Sequence, residues 1–276
     1  MNKIAVVGCG FVGNAVAVGF DLPHNQITKI DPRLGNSVED LYNTDVEFAF
    51  IAVPTPMSDT GEINSSIVED VAVKLFDHTK AVVILKSTVT PDIVNRLAKQ
   101  YPTRFVYNPE FLTEANAEED FINASFNIFG GNLRSTLRVA ELYEYSSKCV
   151  NAASIYMTAT EASFVKYTIN TFLSTKVTFF NQLKDQTDRF DDVSFSTVTD
   201  AVKLDPRIGG SHMMVPGPDG RRGFGGACFP KDTNAFRHFS GGDFDLLEKV
   251  LDINTNYRLQ YELDDREKEQ NVKFGD

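Results

Sequence analysis

The sequence predicts an α/β fold, in which a doubly wound, mostly parallel sheet is followed by an all-α second half. Over residues 1–130, short apolar runs rich in β-branched and aromatic residues alternate with helical stretches, and the runs end in Gly, Pro, Asp or Asn. Strands that alternate with helices form βαβ units, and helices then cover both faces of the parallel sheet. From Ile155 onward, apolar residues recur every three or four positions, which is typical of helices. Together these patterns indicate a Rossmann-like domain and a helical one.

Six strands are predicted in the first half. They are Lys3–Val7, Gln26–Ile30, Glu47–Val53, Ala81–Lys86, Arg104–Tyr107 and Phe126–Phe129. The predicted helices of the second half are Ile155–Lys184, Ser194–Lys203, one whose first turn contains Pro230, and Phe244–Leu263. Gly209–Gly226 is expected to be a loop, and the charged segment Glu262–Gln270 a solvated or frayed tail. We place the domain boundary near Ala153, which divides the chain into residues 1–153 and 154–276.

Composition and charge exclude several classes of protein. The chain of 276 residues carries a formal net charge of -11, whereas nucleic-acid binders are usually basic. The three cysteines and four histidines lack metal-ligand spacing, so we expect no metal site and reduced thiols. No apolar run approaches the roughly 20 residues that a membrane span needs, and the N-terminus lacks a leader pattern. A cytoplasmic protein that binds neither nucleic acid nor membrane is expected.

A glycine-rich motif follows the first predicted strand directly. The segment Gly8-Cys9-Gly10-Phe11-Val12-Gly13 precedes a helix, and Asp31 ends the second strand. In this context the glycines allow a tight turn, approach of a pyrophosphate to the backbone, and close packing of helix on strand. A carboxylate at Asp31 suits the free ribose hydroxyls of NAD and repels the 2′-phosphate of NADP, although Arg33 is a weaker argument for NADP. The alternatives are a glycine-rich turn that binds nothing and, for Cys9, a small buried side chain.

The segment Phe224-Gly225-Gly226-Ala227-Cys228-Phe229-Pro230-Lys231-Asp232 carries the strongest chemical signal. Glycines before Cys228 permit a substrate to approach, and Pro230 places the thiol near the start of a helix. The helix dipole and the nearby Lys231 would both stabilise a thiolate, the form in which cysteine is a nucleophile. The alternative is an inert, half-buried cysteine.

Polar groups elsewhere are spaced to join such a site. Lys166 and Asn170 lie four residues apart on the predicted long helix, so they share a face and could stabilise an oxyanion. Three further segments each follow a predicted strand, and they should therefore meet at the carboxyl edge of the sheet. They are Val53–Pro56, Lys86–Val89 and Asn108–Glu114. The alternatives are a solvated surface pair and ordinary loop residues.

Taken in order, these segments resemble the UDP-glucose/GDP-mannose dehydrogenase family. The matching pieces are Gly8–Gly13, Val53–Pro56, Lys86–Val89, Asn108–Glu114, Lys166 with Asn170, Asp205–Gly209 and Phe224–Asp232. The resemblance implies oxidation of a sugar C6 alcohol, most simply that of UDP-glucose to UDP-glucuronate, by two NAD molecules in turn. Cys228 would hold a thiohemiacetal and then a thioester. The family also pairs its subunits through the central helices, which implies a homodimer.

The motifs and the resemblance together assign roles to individual residues. Catalytic roles fall to Cys228, Lys166, Asn170, Asp232, Glu114 and Thr88. NAD is expected at Gly8, Gly10, Phe11, Val12, Gly13, Asp31, Val53, Pro54, Thr55, Thr88, Glu114 and Lys231. The sugar is expected at Glu110, Phe111, Leu112, Lys166, Asn170, Phe224, Gly225 and Cys228. By resemblance, Lys166 and Asn170 hold the oxyanion, Asp232 and Thr88 manage a water and its protons, and Glu114 serves thioester hydrolysis.

The sequence departs from the family pattern in two places. Members usually continue into a second α/β domain that binds much of the nucleotide, whereas this sequence ends at Asp276. The loop Met213–Arg222 is longer than expected, and we hypothesise that Arg221 and Arg222 contact a diphosphate, with a solvated turn as the alternative. Two other functions stay open: a two-electron β-hydroxyacid-type dehydrogenase, which needs no cysteine, and an NAD-binding protein without turnover.

Overall fold

The computed structural model describes residues 1–275, which separate into two compact units. The first unit comprises Met1–Thr55 and Asn64–Lys166, and the second comprises Pro56–Ile63 and the chain from Tyr167 onward. The division after Lys166 falls inside a helix and not near Ala153, where the change of sequence pattern placed it. The assignment of cofactor binding to the first half and catalysis to the second stays a prediction.

The first unit contains a seven-stranded sheet with the order β2-β1-β3-β4-β5-β6-β7. The strands are β1 (Asn2–Val7), β2 (Asn25–Ile30), β3 (Phe48–Ile51), β4 (Val82–Leu85), β5 (Phe105–Tyr107), β6 (Phe126–Gly131) and β7 (Ala153–Met157). Every neighbouring pair is parallel except β5 and β6, which are antiparallel. The predicted mostly parallel sheet and its first six strands are therefore confirmed.

Helices and the apolar sheet enclose the core of the first unit. The helices are α1 (Phe11–Gly19), α2 (Ser66–His78), α3 (Pro91–Gln100), α4 (Ala117–Ile122) and α5 (Leu133–Ser146). Every residue of β3 and β4 is buried, as expected of central strands covered on both faces. The Phe20 ring lies 5.2 Å from that of Phe50 and 5.0 Å from that of Tyr143 between centroids. This packing fixes the carboxyl ends of the central strands.

The predicted start of the long helix at Ile155 is wrong, because residues around it form β7, parallel to β6. Helix α6 (Ala159–Thr187) begins four residues later. The cause is a capping box, in which Glu161 Oε2 accepts from the Thr158 N–H at 2.8 Å and Thr158 Oγ1 accepts from the Glu161 N–H at 3.2 Å. This cap sets where the backbone becomes helical. Helix α6 belongs to the first unit up to Lys166 and to the second from Tyr167.

In its described part the second unit consists of helices joined by turns and loops, and its β-structure is one isolated bridge, between Met57 and Ile63. Besides the later turns of α6 it contains α7 (Phe195–Val202), α8 (Phe229–Phe239), α9 (Asp245–Arg258) and α10 (Asp265–Glu269). Tyr167 stacks on Phe236 with ring centroids 5.2 Å apart, at the centre of a small apolar core. Within residues 1–275, no helix is both long enough and apolar enough to cross a membrane.

The expectation of a solvated or frayed tail over Glu262–Gln270 is wrong. Helix α9 ends at Arg258, earlier than predicted, and a turn leads into α10. Asp264 caps α10 by accepting from the Glu267 N–H at 3.0 Å. The Glu267 side chain is buried, because its carboxylate pairs with the equally buried Arg258 guanidinium at 2.6 Å. An ion pair therefore anchors this charged segment.

Candidate active site

The glycine motif forms the predicted turn between β1 and α1. Gly8 has a φ of +88°, and a Cβ on Gly13 would overlap the Gly8 carbonyl oxygen, so both positions require glycine. A Cβ on Gly10 would meet no atom within 4 Å, and no side chain caps α1 at this residue. The open start of α1 thus fits a diphosphate, which binds backbone N–H groups at helix N-termini. Phe11 and Val12, in the first turn of α1, are partly exposed.

Asp31 lies beside this turn, where the sequence placed it, and its carboxylate is already engaged. Oδ2 accepts from the Cys9 N–H at 2.7 Å, and both carboxylate oxygens accept from the Arg33 guanidinium at 2.9 Å. Hydrogen bonding to Arg33, against the opposing effect of burial, holds the pKa of Asp31 well below its usual range. Burial and the nearby Asp31 charge raise the pKa of the Cys9 thiol, so a smaller fraction of it is thiolate near neutral pH.

A second cluster lies after β4 and β5. The buried Lys86 ammonium donates to Asn108 Oδ1 at 3.1 Å, and the Tyr143 hydroxyl donates to the same oxygen at 2.7 Å. Burial lowers the pKa of Lys86 to about 8, with the Glu110 charge opposing the shift. Because Asn108 also donates to the Ile128 carbonyl at 2.8 Å, the segment after β5 is fixed to the next strand.

Glu110 and Lys166 form a buried ion pair in the first unit. The Lys166 Nζ donates to Glu110 Oε1 at 2.9 Å and to the Glu110 carbonyl at 2.7 Å. The other carboxylate oxygen accepts from the Leu112 N–H at 2.7 Å. Lys166 Nζ also lies 5.4 Å from the centre of the Phe111 ring. The structure therefore joins Lys166 to the predicted sugar-binding segment, through an ion pair with Glu110 that the sequence did not predict.

The remaining first-unit residues of the predicted site differ in exposure. Val53, Thr55 and Thr88 are buried, whereas Pro54 is exposed. The Val53 carbonyl accepts from Ser87 Oγ at 2.7 Å, which joins the segments after β3 and β4. Phe111 and Leu112 are partly exposed, and Glu114 is exposed on a 3₁₀ turn of residues Glu114–Asn116. The sequence thus correctly predicted that the β3 and β4 segments meet.

Cys228 occupies the N-cap position of α8, in the second unit, and its side chain is partly exposed. Helix α8 begins at Phe229 with Pro230 in its first turn, as the sequence predicted. The Cys228 carbonyl accepts from the Asp232 N–H at 2.8 Å, which closes that turn. A partly exposed thiol at a helix N-terminus is placed as reactive cysteines are.

Behind Cys228, the buried Asp232 carboxylate joins two other predicted residues. Asn170 Nδ2 donates to one oxygen at 2.6 Å, and Lys231 Nζ donates to the other at 2.5 Å. Lys231 was predicted to act on the thiol as a nearby cation, but its ammonium is bonded to Asp232. The Asp232 carboxylate is therefore fixed one helical turn beyond Cys228, and the Lys231 ammonium balances its charge.

Phe224 and Gly225 belong to a loop that buried side chains hold. Asn254 accepts from the Phe224 N–H at 2.6 Å and donates to the Phe224 carbonyl at 2.9 Å. A Cβ on Gly225 would overlap both the Arg258 guanidinium and the Glu267 carboxylate. Sequence reasoning missed Asn254, Arg258 and Glu267. The available signal was the capping pattern Asp264-Asp265-Arg266-Glu267, which predicts that a helix starts within the charged tail.

The hypothesis that Arg221 and Arg222 contact a diphosphate gains no support from the structure. Arg221 donates to the Glu262 carbonyl at 2.7 Å. Arg222 donates to Asp185 at 2.6 Å and lies 4.4 Å from the centre of the Tyr257 ring. Both guanidinium groups thus bond to other parts of the second unit, and a diphosphate contact stays a prediction.

Comparison with known families gives two matches along the chain. Residues 33–147 match the NAD binding domain of the UDP-glucose/GDP-mannose dehydrogenase family. Residues 160–256 match the central domain of the same family. The two matches together cover well over half of the sequence, and the second includes Lys166, Asn170, Cys228 and Asp232.

Individual relatives agree with this. The chain is 31% identical to the UDP-glucose 6-dehydrogenase TuaD of Bacillus subtilis, over 94% of this chain and 64% of that protein. A solved UDP-glucose dehydrogenase from Pyrobaculum islandicum has a TM-score of 0.78 and 28% identity, over 94% of this chain and 70% of that one. The 3-hydroxyisobutyrate dehydrogenase of Mycobacterium tuberculosis shares the fold, with a TM-score of 0.69 at 16% identity over 99% and 97% of the two chains. The chain thus spans about two thirds of the length of the TuaD and Pyrobaculum islandicum proteins.

Proposed function

Because this chain belongs to the UDP-glucose/GDP-mannose dehydrogenase family, we propose that it oxidises the C6 alcohol of a nucleotide sugar to a carboxylate with NAD. UDP-glucose is the substrate we favour, since the relatives at about 30% identity are named for it. The observation that carries the proposal is Cys228 at the start of α8, with the Asn170–Asp232–Lys231 cluster one turn beyond. An oxidation that stopped at the aldehyde would need no such nucleophile.

The first unit has the features that NAD requires. The turn of Gly8, Gly10 and Gly13 would hold the diphosphate at the start of α1, and Asp31 would accept from the ribose hydroxyls. When bound, NAD supplies the ring that accepts a hydride in each of the two oxidations. Val53, Thr55 and Thr88, at the ends of β3 and β4, complete the proposed cofactor contacts.

Cys228 supplies the covalent chemistry in this proposal. Its sulfur would add to the carbonyl carbon of the aldehyde and hold it as a thiohemiacetal, so that the reactive aldehyde does not escape. After the second oxidation the same sulfur carries a thioester, which water hydrolyses to the carboxylate. A partly exposed thiol at a helix N-terminus suits both steps.

The buried polar residues are proposed to manage charge and protons. Lys166 and Asn170 would stabilise the oxyanion of the tetrahedral intermediates, since an ammonium and an amide both donate hydrogen bonds. The fixed Asp232 carboxylate, with Thr88, would position the hydrolytic water and accept its proton. Glu114 would assist that hydrolysis, and Glu110, with Phe111 and Leu112, would shape the sugar site.

A homodimer through the central helices is also proposed. Phe172 and Phe179 lie seven residues apart on α6, so they share a face, and they are 66% and 61% exposed. Two large apolar side chains exposed on one helix are typical of a surface that a partner covers. A second copy of this chain would bury both.

The test is the number of NADH molecules formed per UDP-glucose consumed, measured for the wild type, for Cys228→Ser and for Cys149→Ser. Two NADH per sugar, with turnover lost or stalled in Cys228→Ser and kept in Cys149→Ser, would support the proposal. Cys149 is buried in the first unit and serves as the matched control.

Two other results would overturn the proposal. One NADH per substrate, unaffected by Cys228→Ser, would indicate a two-electron dehydrogenase of the β-hydroxyacid type. Binding of NAD without turnover of any nucleotide sugar would indicate an NAD-binding protein with another role. Michaelis constants for UDP-glucose and GDP-mannose, measured side by side, would establish the preferred nucleotide.

A further inference from the structure

The loop that leads to Cys228 is held by side chains and not by regular secondary structure. Three of its backbone N–H groups donate to side-chain oxygens of three different helices. Gly223 donates to Asn181 Oδ1 of α6 at 3.0 Å, and Phe224 to Asn254 Oδ1 of α9 at 2.6 Å. Gly226, two residues before Cys228, donates to Glu267 Oε1 of α10 at 3.1 Å. Glu267 is therefore the last of these anchors before the thiol.

The Glu267 carboxylate is held on several sides. Its Oε1 atom also accepts from Arg258 Nη2 at 2.6 Å, and its Oε2 atom accepts from the Asp264 N–H at 2.9 Å. The second Arg258 nitrogen donates to Asp219 Oδ2 at 2.7 Å. Both Glu267 and Arg258 are almost fully buried, at 0% and 1% exposure. Because the Glu267 carboxylate is fixed in this way, it holds the Gly226 N–H group that donates to it within a narrow range of positions.

The glycines of the loop match this arrangement. Gly226 has a φ of +78°, which favours glycine, and a Cβ on Gly225 would overlap both members of the ion pair. The backbone thus lies directly against the buried charges. Movement of Glu267 would move the Gly225-Gly226 backbone, which leads directly into Cys228 at the start of α8.

We propose that Glu267 is a positioning residue for Cys228: its carboxylate fixes the Gly225-Gly226 backbone, and Arg258 fixes the carboxylate. The thiol is thereby kept at the N-terminus of α8, where a helix favours a negatively charged group. The residues after α9 would then control the reactivity of a cysteine far from them in sequence. This inference rests on the proposed nucleophilic role of Cys228 but is tested without turnover.

The test is the rate at which iodoacetamide alkylates each cysteine, followed by mass spectrometry across a range of pH. Cys9, partly exposed in the first unit, is the internal reference, and the buried Cys149 reports loss of folding. In Glu267→Ala the alkylation of Cys228 relative to Cys9 should slow by about three- to tenfold near neutral pH, as expected when a helix-terminus interaction is lost. The pH profile of Cys228 should shift with it, whereas that of Cys9 should not.

Two further variants separate positioning from stability. Glu267→Gln keeps an oxygen that can accept from the Gly226 N–H, so it should recover most of the wild-type rate. The double variant Arg258→Met with Glu267→Met removes both buried charges together, which preserves folding better than removing one, yet Cys228 should still react slowly. The matched control is Glu269→Ala, an exposed residue on the same helix, which should change nothing.

Unchanged alkylation of Cys228 in Glu267→Ala would overturn the proposal. Equal losses in the Gln and Ala variants would overturn it as well, because the hydrogen bond to Gly226 would then be irrelevant. A wild type that forms no NADH, but whose Cys228 still slows in Glu267→Ala, would refute the proposed function and keep the positioning role.

Discussion

Lys86 shows how a single buried charge makes stability depend on pH. Its folded-state pKa of about 8 lies below the ordinary value of 10.5, chiefly because burial penalises the ammonium. Between these two values the unfolded chain binds more protons at this residue than the folded chain does. The free energy of unfolding must therefore rise with pH between these two values. Well below pH 8 Lys86 is protonated in both states, so its contribution to the free energy of unfolding no longer changes with pH.

Comparison with Lys86→Met isolates this effect, because other titrating groups are common to both proteins. We expect the free energy of unfolding of the wild type, minus that of Lys86→Met, to increase by about 2 kcal/mol between pH 7.5 and 9.5. Urea unfolding at the two pH values measures it. A difference that does not change with pH would show that Lys86 keeps an ordinary pKa in the folded protein.

At the scale of elements, the glycines of the turn between β1 and α1 have different roles. Gly13 is needed for packing, whereas Gly10 is needed for the proposed binding of NAD. In Gly13→Ala the new methyl group would overlap the Gly8 carbonyl, so we expect a loss of about 2–3 kcal/mol of stability. In Gly10→Ala the methyl group meets open space, so the fold should be kept. That space is where the diphosphate would approach, and NAD affinity should fall about tenfold or more.

Thermal unfolding and calorimetric titration with NAD distinguish the two glycine variants. Gly35→Ala is a control outside the motif, since its neighbourhood is equally open, although its φ of +76° adds some strain. If Gly10→Ala bound NAD as tightly as the wild type, the diphosphate could not lie at the start of α1.

The elements also show where sequence patterns are sufficient. Helix α7, predicted as Ser194–Lys203, spans Phe195–Val202 with Ser194 as its cap, and Pro230 lies in the first turn of α8, as predicted. Both signals are local and act through the backbone. Strand β7 was missed because it is short, exposed and directly followed by a helix, so its apolar residues fitted a helical period. The Thr158–Glu161 capping box was the local signal that marked the true boundary.

The candidate site was predictable in its residue types and not in its pairings. The segments around Glu110, Lys166, Asn170 and Asp232 were found from motifs and from the family resemblance. The Glu110–Lys166 ion pair and the Asn170–Asp232 hydrogen bond depend on side-chain directions and on contacts between parts of the chain that are distant in sequence, which spacing does not determine. Glu267 was not predicted because a glutamate in a charged segment is usually solvated, and its partner Arg258 cannot be identified from spacing.

At the scale of the whole molecule, assembly should depend on the exposed phenylalanines of α6. We expect Phe172→Asp combined with Phe179→Asp to convert the dimer into a monomer. The introduced carboxylates would be buried in the interface without cationic partners, and the loss of their hydration would destabilise the dimer. Light scattering after size-exclusion chromatography measures the mass, which is 30.7 kDa for a single chain. Phe190→Asp is the matched control, since Phe190 is 60% exposed but lies beyond the end of α6. A wild type that is already a single chain would contradict the proposed dimer.

The division of the chain constrains how genes of this family can exchange parts. Residues 56–63 lie early in sequence but belong to the second unit, where the Met57 N–H donates to the Gln270 carbonyl at 2.9 Å and Asp59 pairs with Lys273 at 2.6 Å. A single crossover near Lys166 would join a foreign second unit to a native Pro56–Ile63 segment. Two more crossovers, on either side of this short segment, would transplant it together with its later partners and keep the second unit from one parent.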